Sequence, residues 1–448
     1  MLKRILLLIS LDWTRNKDPR VPLGHASIVA SVMKFGQVEL HHRSFPVNQF
    51  FSPQKVVTYI LKTISGFPSE AVDVAFGAFV WGEPFLQEIM TSIRQAGFKG
   101  RIILGGPQIS YTDSGLEQLY PQADVFIRGS AEEALSEATV VHSPLSELER
   151  LGVHYAGATD LRTRAEADLS LIPSPYLSGA IPLFGLDGSV QRFIRWETKR
   201  GCPFPCTFCQ HRESGHRLLK TEFPIDRIKD EIALFKRSGV EDIAILDAVF
   251  NLGRSSLIVL DSLNQADFRG RLSLQCHFEA LTVEFLEALR SLYVRLEFGL
   301  QTIHASEGKA IKRINDMNKV DWGIKELLRR GIPFEVSVIY GLPGQTLFSF
   351  RETVNYLLKS RVPVIKAFPL MLLRGTELEQ NRSRWSLREN GSTIPSVIAS
   401  DSFTESEWKR MAAIGRGLEL TEGRHPGSVN ELPFDCSDLA GGKWSPLS

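Results

Sequence analysis

The feature that most constrains this chain is an alternation of short apolar runs with amphipathic stretches, occurring in two blocks separated by one break. In residues 1–140 the runs "RILLLIS", "QVELHHRS", "VDVAFGAFV", "RIILGG" and "ADVFIRG" read as strands. Between them, "LGHASIVASVMKFG", "PQKVVTYILKTISG" and "EPFLQEIMTSIRQAG" space apolar residues at three and four and close on Gly, as helices do. That order predicts a parallel sheet with helices on both faces. Ligands of such a sheet bind beyond the carboxyl ends of its strands, where Gly24, Trp81, Gly82, Gly105, Gly106, Pro107 and Gly129 fall. Residues 141–190 lose the periodicity, and "IPSPYLSGAIPLFGLDGS" reads as a linker. The alternation resumes over 191–375 with "RFIRWETK", "EDIAILD", "RLSLQCHF", "VRLEFGL", "PFEVSVIY" and "VIKAFPL", six units that fit a partial barrel. The last stretch, 376–448, holds one clear helix, "TESEWKRMAAIGRGLEL", and a polar, Gly-rich end that reads as partly disordered.

Composition narrows the class. A chain of 448 residues with 43% hydrophobic residues can bury a sizeable core. Its 52 basic and 51 acidic residues leave a net charge of +1, which argues against a nucleic-acid-binding tail or a polybasic membrane patch. The opening "MLKRILLLISLDW" reads as a first buried strand: the apolar run is short, Asp12 ends it, and no small-residue cleavage site follows. No stretch reaches the length of a transmembrane helix. Five cysteines, three of them in one segment, do not form a disulfide framework, and a reducing cytoplasm is the expected location.

Those three, Cys202, Cys206 and Cys209, lie in "WETKRGCPFPCTFCQH", spaced C-x3-C-x2-C in a loop directly after a strand. A zinc site normally takes four ligands, and His211 and His216 are near enough to keep zinc open as a reading. Thiolates also suit iron–sulfur clusters. Three cysteines on a four-iron cluster would leave one iron free for an exchangeable ligand. Reduced structural thiols are the third alternative.

"CPFPCTFC", with the aromatic Phe208 before the last cysteine, resembles the signature of the radical S-adenosylmethionine (SAM) superfamily. The resemblance implies that Cys202, Cys206 and Cys209 hold a 4Fe-4S cluster whose open iron binds the amino and carboxylate groups of SAM. Reductive cleavage would then give methionine and a 5′-deoxyadenosyl radical. By the same resemblance, Asp247 and Asn251 in "LDAVFN" face the methionine end of SAM, although turn formation explains them equally well. Gln301 in "EFGLQTIH" and Arg313 in "KRIND" are twelve residues apart, as are two SAM-contacting residues in the similar oxygen-independent coproporphyrinogen oxidase. A guanidinium suits a carboxylate. Gln275 stands where that oxidase has a SAM-contacting glutamate, with His277 as a neighbour able to replace it. Gly341 in "YGLPGQT" would let the backbone approach the adenine. "PLMLLRGTEL" is similar to the family's "PGT" ending, with Arg374 in place of Pro.

The amino-terminal block resembles that of the cobalamin-binding radical SAM subgroup, on "VPLGHASIVASVM", "LGGPQIS", "IRGSAEEAL" and "PSPYLSG". It implies cobalamin contacts from Gly24, Trp81, Gly105, Gly106, Pro107, Gly129 and Glu132. Gly129-Ser130-Ala131-Glu132 stands where the family often has Gly-Glu-Gly-Glu, so one acidic residue is missing. There is no D-x-H-x-x-G segment to supply a histidine to cobalt, and no G-x-G-x-x-G for a nicotinamide cofactor.

The expected fold is therefore α/β: a flavodoxin-like, Rossmann-like cobalamin-binding domain, a partial six-unit β/α barrel and a short helical carboxy-terminal region. The expected function is a cobalamin-dependent radical SAM enzyme that methylates an unactivated carbon of a small molecule or peptide. It would draw electrons from a donor such as flavodoxin or ferredoxin, with no nucleic-acid or membrane partner. Radical rearrangement or oxidation without methyl transfer, and a non-catalytic metal-binding module, are the competing readings.

Overall fold

The computed structural model describes residues 4–140, 151–185, 187–211, 221–392 and 394–433. The chain divides into two compact units, Met1–Ile194 with Lys229–Gly239, and Arg195–Ile228 with Val240–Ser448. Among the described residues no helix is long and apolar enough to cross a membrane.

The first unit is built on β1 (Arg4–Asp12), β2 (Val38–Pro46), β3 (Val72–Gly77), β4 (Arg101–Gly105), β5 (Val125–Ile127) and β6 (Val153–Tyr155), in the order β2-β1-β3-β4-β5-β6. The first five run parallel, as expected. β1 is apolar along its length because both of its faces are covered, and Leu6, Leu7, Ile9 and Leu11 are fully buried. The helices α1 (Leu23–Phe35), α2 (Pro53–Ile64), α3 (Glu83–Gln95) and α4 (Ala131–Val140) follow β1, β2, β3 and β5. The strand order reverses between β1 and β3, which places a crevice at their carboxyl ends.

β6 corrects one expectation. It pairs antiparallel with β5 and comes from the stretch read as a linker. Its neighbours join the same unit: Gly129 bridges to Ala165, and Arg128 reaches Asp160 at 2.7 Å. A three-residue strand is too short to show a periodicity, so this part of 141–190 carries no strand signal, and pairing with the sheet edge defines it.

A second sheet carries β7 (Phe193–Trp196), β8 (Asp242–Ile245), β9 (Arg271–Cys276), β10 (Tyr293–Gln301), β11 (Phe334–Tyr340) and β12 (Ile365–Pro369), each beside its predecessor. This is the six-stranded partial barrel. β9, β10 and β11 alternate strictly. Their buried residues pack under the helices, and the half-buried set, including Ser273, Gln275, Glu297 and Ser337, lines the opposite face. Ion pairs between Arg271 and Asp242, and between Arg295 and Glu335, close the amino-terminal end of that face.

Helix starts follow the sequence signals. Thr282 caps α5 (Val283–Ala288) by accepting from Phe285 N–H, and Asp316 caps α6 (Met317–Arg330), which Gly331 ends in a left-handed turn. Thr346 and Thr404 form capping boxes on α7 (Leu347–Lys359) and α8 (Glu405–Leu420). α8 is the helix expected in the carboxy-terminal stretch. Its Gly415 lies beside Ala367 of the edge strand β12, where a Cβ would come within 3.3 Å. That strand is thereby covered, as exposed edges require.

Candidate active site

The cysteine loop leaves β7 through Thr198 and Lys199, and a closed circuit of contacts holds it. Asp247, at the end of β8, is fully buried and accepts from Thr198 N–H at 2.8 Å, Thr198 Oγ1–H at 2.5 Å and Lys199 N–H at 3.1 Å. Burial pushes its carboxyl up to about 6 despite these donors. Lys199, also buried, donates its ammonium to the carbonyls of Phe250 (2.7 Å) and Leu252 (3.0 Å). Between these, Asn251 pairs its amide with both backbone groups of His277, at 2.9 and 3.0 Å. The His277 ring stacks on Phe204, with centroids 4.1 Å apart, and Phe204 lies between Cys202 and Cys206. The structure thus brings Asp247 and Asn251 into the site as anchors of the loop and of β9.

On its other side the loop is tied to later turns. Thr207 N–H donates to Ile311 O at 3.0 Å and Leu378 N–H to Thr207 O at 2.9 Å. Gln210 Nε2 donates to Arg374 O at 2.9 Å. Phe208 is half-buried. Cys202, Cys206 and Cys209 are free of disulfides. Burial raises the Cys202 thiol and pushes Cys209 up to about 11; neighbouring cysteines add to the rise and Arg313 opposes it. Three thiols in mutual electrostatic reach favour a polycation that can hold them all as thiolates.

Among the described residues, no three His, Cys, Asp or Glu side chains are placed to hold one metal ion. A cluster, with one cysteine per iron, makes a different geometric demand, and the all-thiol donor set fits it. His216 and Cys436 lie outside the described residues.

Beyond the loop, β10 ends in a bulge between Gly299 and Gln301. Gln301 has a left-handed backbone (φ 68°), an uncommon conformation for a non-glycine residue and one that clusters at functional sites. The bulge frees Gly299 O to accept from Arg313 Nη2. Arg313 Nη1 also lies 3.8 Å from Cys206 Sγ. Among the described residues, three buried polar atoms here have no protein partner: Gln301 Oε1, Arg313 Nε and His277 Nε2. Buried polar groups are normally paired, so this set is shaped for a polar ligand. His277 Nδ1 contacts Glu279, which is held down to about 2: burial opposes ionisation, but His277 and the Asp316 N–H outweigh it. Burial lowers the His277 pKa, and Arg313 lowers it further. Gln275 stands on β9 directly opposite Glu297 of β10.

Gly341 has φ 92°, but its N–H is already taken by Gln345 Oε1 at 2.7 Å. The fully buried Gln345 amide also accepts from Leu342 N–H and donates to Ile339 O. It holds the "YGLPGQT" loop from within.

In the first unit, the glycines at the strand ends fall into two kinds. Gly24 is exposed with nothing within 4 Å of an added Cβ, and Gly105 would meet only Ile127, its O at 3.7 Å. A Cβ could be added at either position without a clash. Gly106 (φ 93°) is required: a Cβ would lie 2.9 Å from Ala78 O. Gly129 (φ 84°) would lie 2.2 Å from Ala165 O. Their bareness is required by backbone packing, whatever ligand lies near them. Trp81 donates its indole N–H to Leu11 O at 2.9 Å and stacks on Phe79, Pro107 opens the short helix Pro107–Ser110, and buried Glu132 accepts from Ser27 Oγ at 3.1 Å.

A family model of the radical SAM superfamily matches residues 196–357, the segment that begins with the cysteine loop and carries the three orphaned atoms. That segment is what a radical SAM domain looks like in sequence. Over 370 residues the chain is 24% identical to the cobalamin-dependent radical SAM methyltransferase TokK of Streptomyces tokunonensis, covering 77% of this chain and 52% of TokK. It is 26% identical over 236 residues to the 2-(S-pantetheinyl)-carbapenam-3-carboxylate methyltransferase of Streptantibioticus cattleyicolor, covering 48% of this chain and 33% of that protein. The matches span about half the length of one curated relative and a third of the other.

Among solved structures, the radical S-adenosylmethionine methyltransferase TsrM from Kitasatospora setae has a TM-score of 0.67 at 16% identity, covering 91% of this chain and 83% of TsrM. The cobalamin-dependent S-adenosylmethionine radical enzyme OxsB has a TM-score of 0.69 at 12% identity, covering 92% of this chain and 66% of OxsB. These likenesses show the fold alone, an α/β architecture with an amino-terminal Rossmann-like unit and a partial barrel.

Sequence reasoning missed Thr198, Lys199, Phe204, Glu279 and Gln345. Their roles rest on contacts between distant segments. The exception is Gln345, whose place just after Pro-Gly is a signal for a side chain that templates a turn.

Proposed function

We propose that this chain is a cobalamin-dependent radical SAM enzyme that methylates an unactivated carbon of a small molecule or peptide. The observation that carries the reading is the convergence of a three-cysteine loop with unpartnered polar atoms of Gln301, Arg313 and His277 at one end of the barrel. The names of TokK and of the carbapenam methyltransferase support methyl transfer.

Cys202, Cys206 and Cys209 would hold the 4Fe-4S cluster, and the crevice at the carboxyl ends of the first sheet's strands would take cobalamin. When bound, the cluster supplies the electron that cleaves SAM to methionine and a 5′-deoxyadenosyl radical, and cobalamin supplies the transferred methyl group. The protein's part is orientation and shielding. Arg313 offers Nε to the SAM carboxylate, with Gln301 Oε1 and His277 Nε2 accepting from its donors. Gln275 and Glu297 line the face where a substrate would lie. A low-potential donor such as flavodoxin or ferredoxin would deliver the electron.

The test is anaerobic reconstitution followed by assay for 5′-deoxyadenosine and S-adenosylhomocysteine. Both products are expected. The first alone would replace methyl transfer with another radical reaction, and neither would overturn the enzyme reading. Alanine at Cys202, Cys206 or Cys209 should abolish iron binding. Alanine at buried Cys276, or at Cys436, should leave it intact.

A further inference from the structure

The cysteine loop and the SAM-facing atoms meet at one side chain, Arg313. Its backbone is fixed by a hydrogen bond from Arg313 N–H to Gly308 O at 2.8 Å. Its guanidinium reaches in two directions, Nη2 to Gly299 O and Nη1 to Cys206 Sγ at 3.8 Å. Gly299 makes this approach possible, since a Cβ there would lie 2.6 Å from Gln301 Nε2 and 3.4 Å from Arg313 Nη2. One cation therefore touches both the cysteine loop and the β10 bulge, while its Nε has no partner among the described residues.

We propose that Arg313 is a redox-positioning residue: its Nη1–H donates to the Cys206 sulfur of the bound cluster and raises the cluster's reduction potential, while Nε stays available for the SAM carboxylate. The proposal rests on the cluster reading above. Reduction adds one electron and no proton, so negative charge on the sulfurs rises. A fixed cation and an N–H···S bond therefore favour the reduced form. A guanidinium has five N–H donors in a rigid fork, enough for sulfur, carbonyl and carboxylate at once. Because one group touches both, SAM binding and cluster reduction are linked, each altering the other's equilibrium by the same factor.

The experiment uses the anaerobically purified, cluster-loaded protein without SAM, titrated with a reductant and followed by the electron paramagnetic resonance of the reduced cluster. Arg313→Met should keep its iron but show a more negative potential. At a fixed applied potential its reduced-to-oxidised ratio should fall about tenfold, as loss of a charge-assisted contact implies. Arg313→Lys, which keeps the charge without the fork, should fall between the two. An unchanged potential in both variants overturns the proposal, even if SAM affinity is lost. A shifted potential with unchanged SAM affinity upholds the redox role and overturns the carboxylate contact and the linkage built on it. If the Met variant fails to hold iron, the Lys variant decides on the same criteria.

Discussion

The ring of Phe204 lies flat against that of His277, with centroids 4.1 Å apart and planes 5° from parallel. Phe204 belongs to the cysteine loop and His277 to the end of β9, and Asn251 fixes the backbone of His277 from the neighbouring strand end. The stack therefore closes a circuit that begins at Thr198 and Asp247. The loop is braced before a cluster enters it, and less ordering is then needed on binding.

Phe204→Ala should break that brace without unfolding the barrel. An aromatic pair contributes about 0.5–1.5 kcal/mol beyond its buried area, so iron should leave to a chelator roughly two- to tenfold faster. Phe204→Leu should recover part of the difference. Equal rates of iron loss in wild type and Phe204→Ala would show that the stack does not hold the loop.

Asp247 makes a pH-dependent contribution of known sign. Its carboxyl is raised by burial from 3.8 to about 6, so the folded state holds a proton that the unfolded chain has released. The stability this confers is complete below the unfolded value and is lost as pH rises through about 6. The ceiling is of order 3 kcal/mol, because each tenfold change in proton affinity is worth about 1.4 kcal/mol. Asp247→Asn removes the titration. Denaturant midpoints of variant and wild type should therefore converge or cross between about pH 5 and 7, with wild type losing ground as pH rises. A constant gap across that range would contradict the assignment.

Gln345→Ala should loosen the loop after β11. Three backbone hydrogen bonds end on the Gln345 amide, and losing their partner in a buried site costs roughly 2–4 kcal/mol in total. Gln345→Glu keeps the acceptor for Gly341 and Leu342 but loses the donor to Ile339 O, and should retain more stability than Ala. SAM affinity should fall in the Ala variant while iron content holds. Undiminished affinity would separate this loop from the SAM site.

The alternation of strands and helices is legible in the sequence because period-two and period-3.6 patterns persist wherever one face is buried, as in β10 and α6. The cysteines are legible because their chemistry is local: three thiols within eight residues need no fold to be noticed. Asp247 and Asn251 are visible as polar residues at a strand end, yet their partners, Thr198 and the His277 backbone, are 49 and 26 residues away. Glycine is the hardest letter to read. Gly24 and Gly106 look alike in sequence, and only the position of Ala78 distinguishes them.

That distinction gives the most direct test of cobalamin binding. Gly106→Ala places a Cβ 2.9 Å from Ala78 O at a backbone angle of φ 93°, so it should destabilise the first unit by roughly 1–3 kcal/mol whatever that unit binds. Loss of corrin from this variant would therefore say nothing about the corrin site. Gly24→Phe and Gly105→Val are the informative changes. At Gly24 there is open space and an added Cβ at Gly105 makes an ordinary contact, so both variants are read alongside their melting temperatures, and only one that melts like wild type reports on the corrin. If cobalamin rests over the carboxyl ends of β1 and β4, each bulky side chain occupies the ring's place. Protein expressed with ample cobalamin should then retain corrin in wild type and lose most of it in both variants, with iron content and SAM binding unchanged. S-adenosylhomocysteine should disappear from the product mixture while 5′-deoxyadenosine persists. Full corrin retention by both variants would move the ring away from these strand ends.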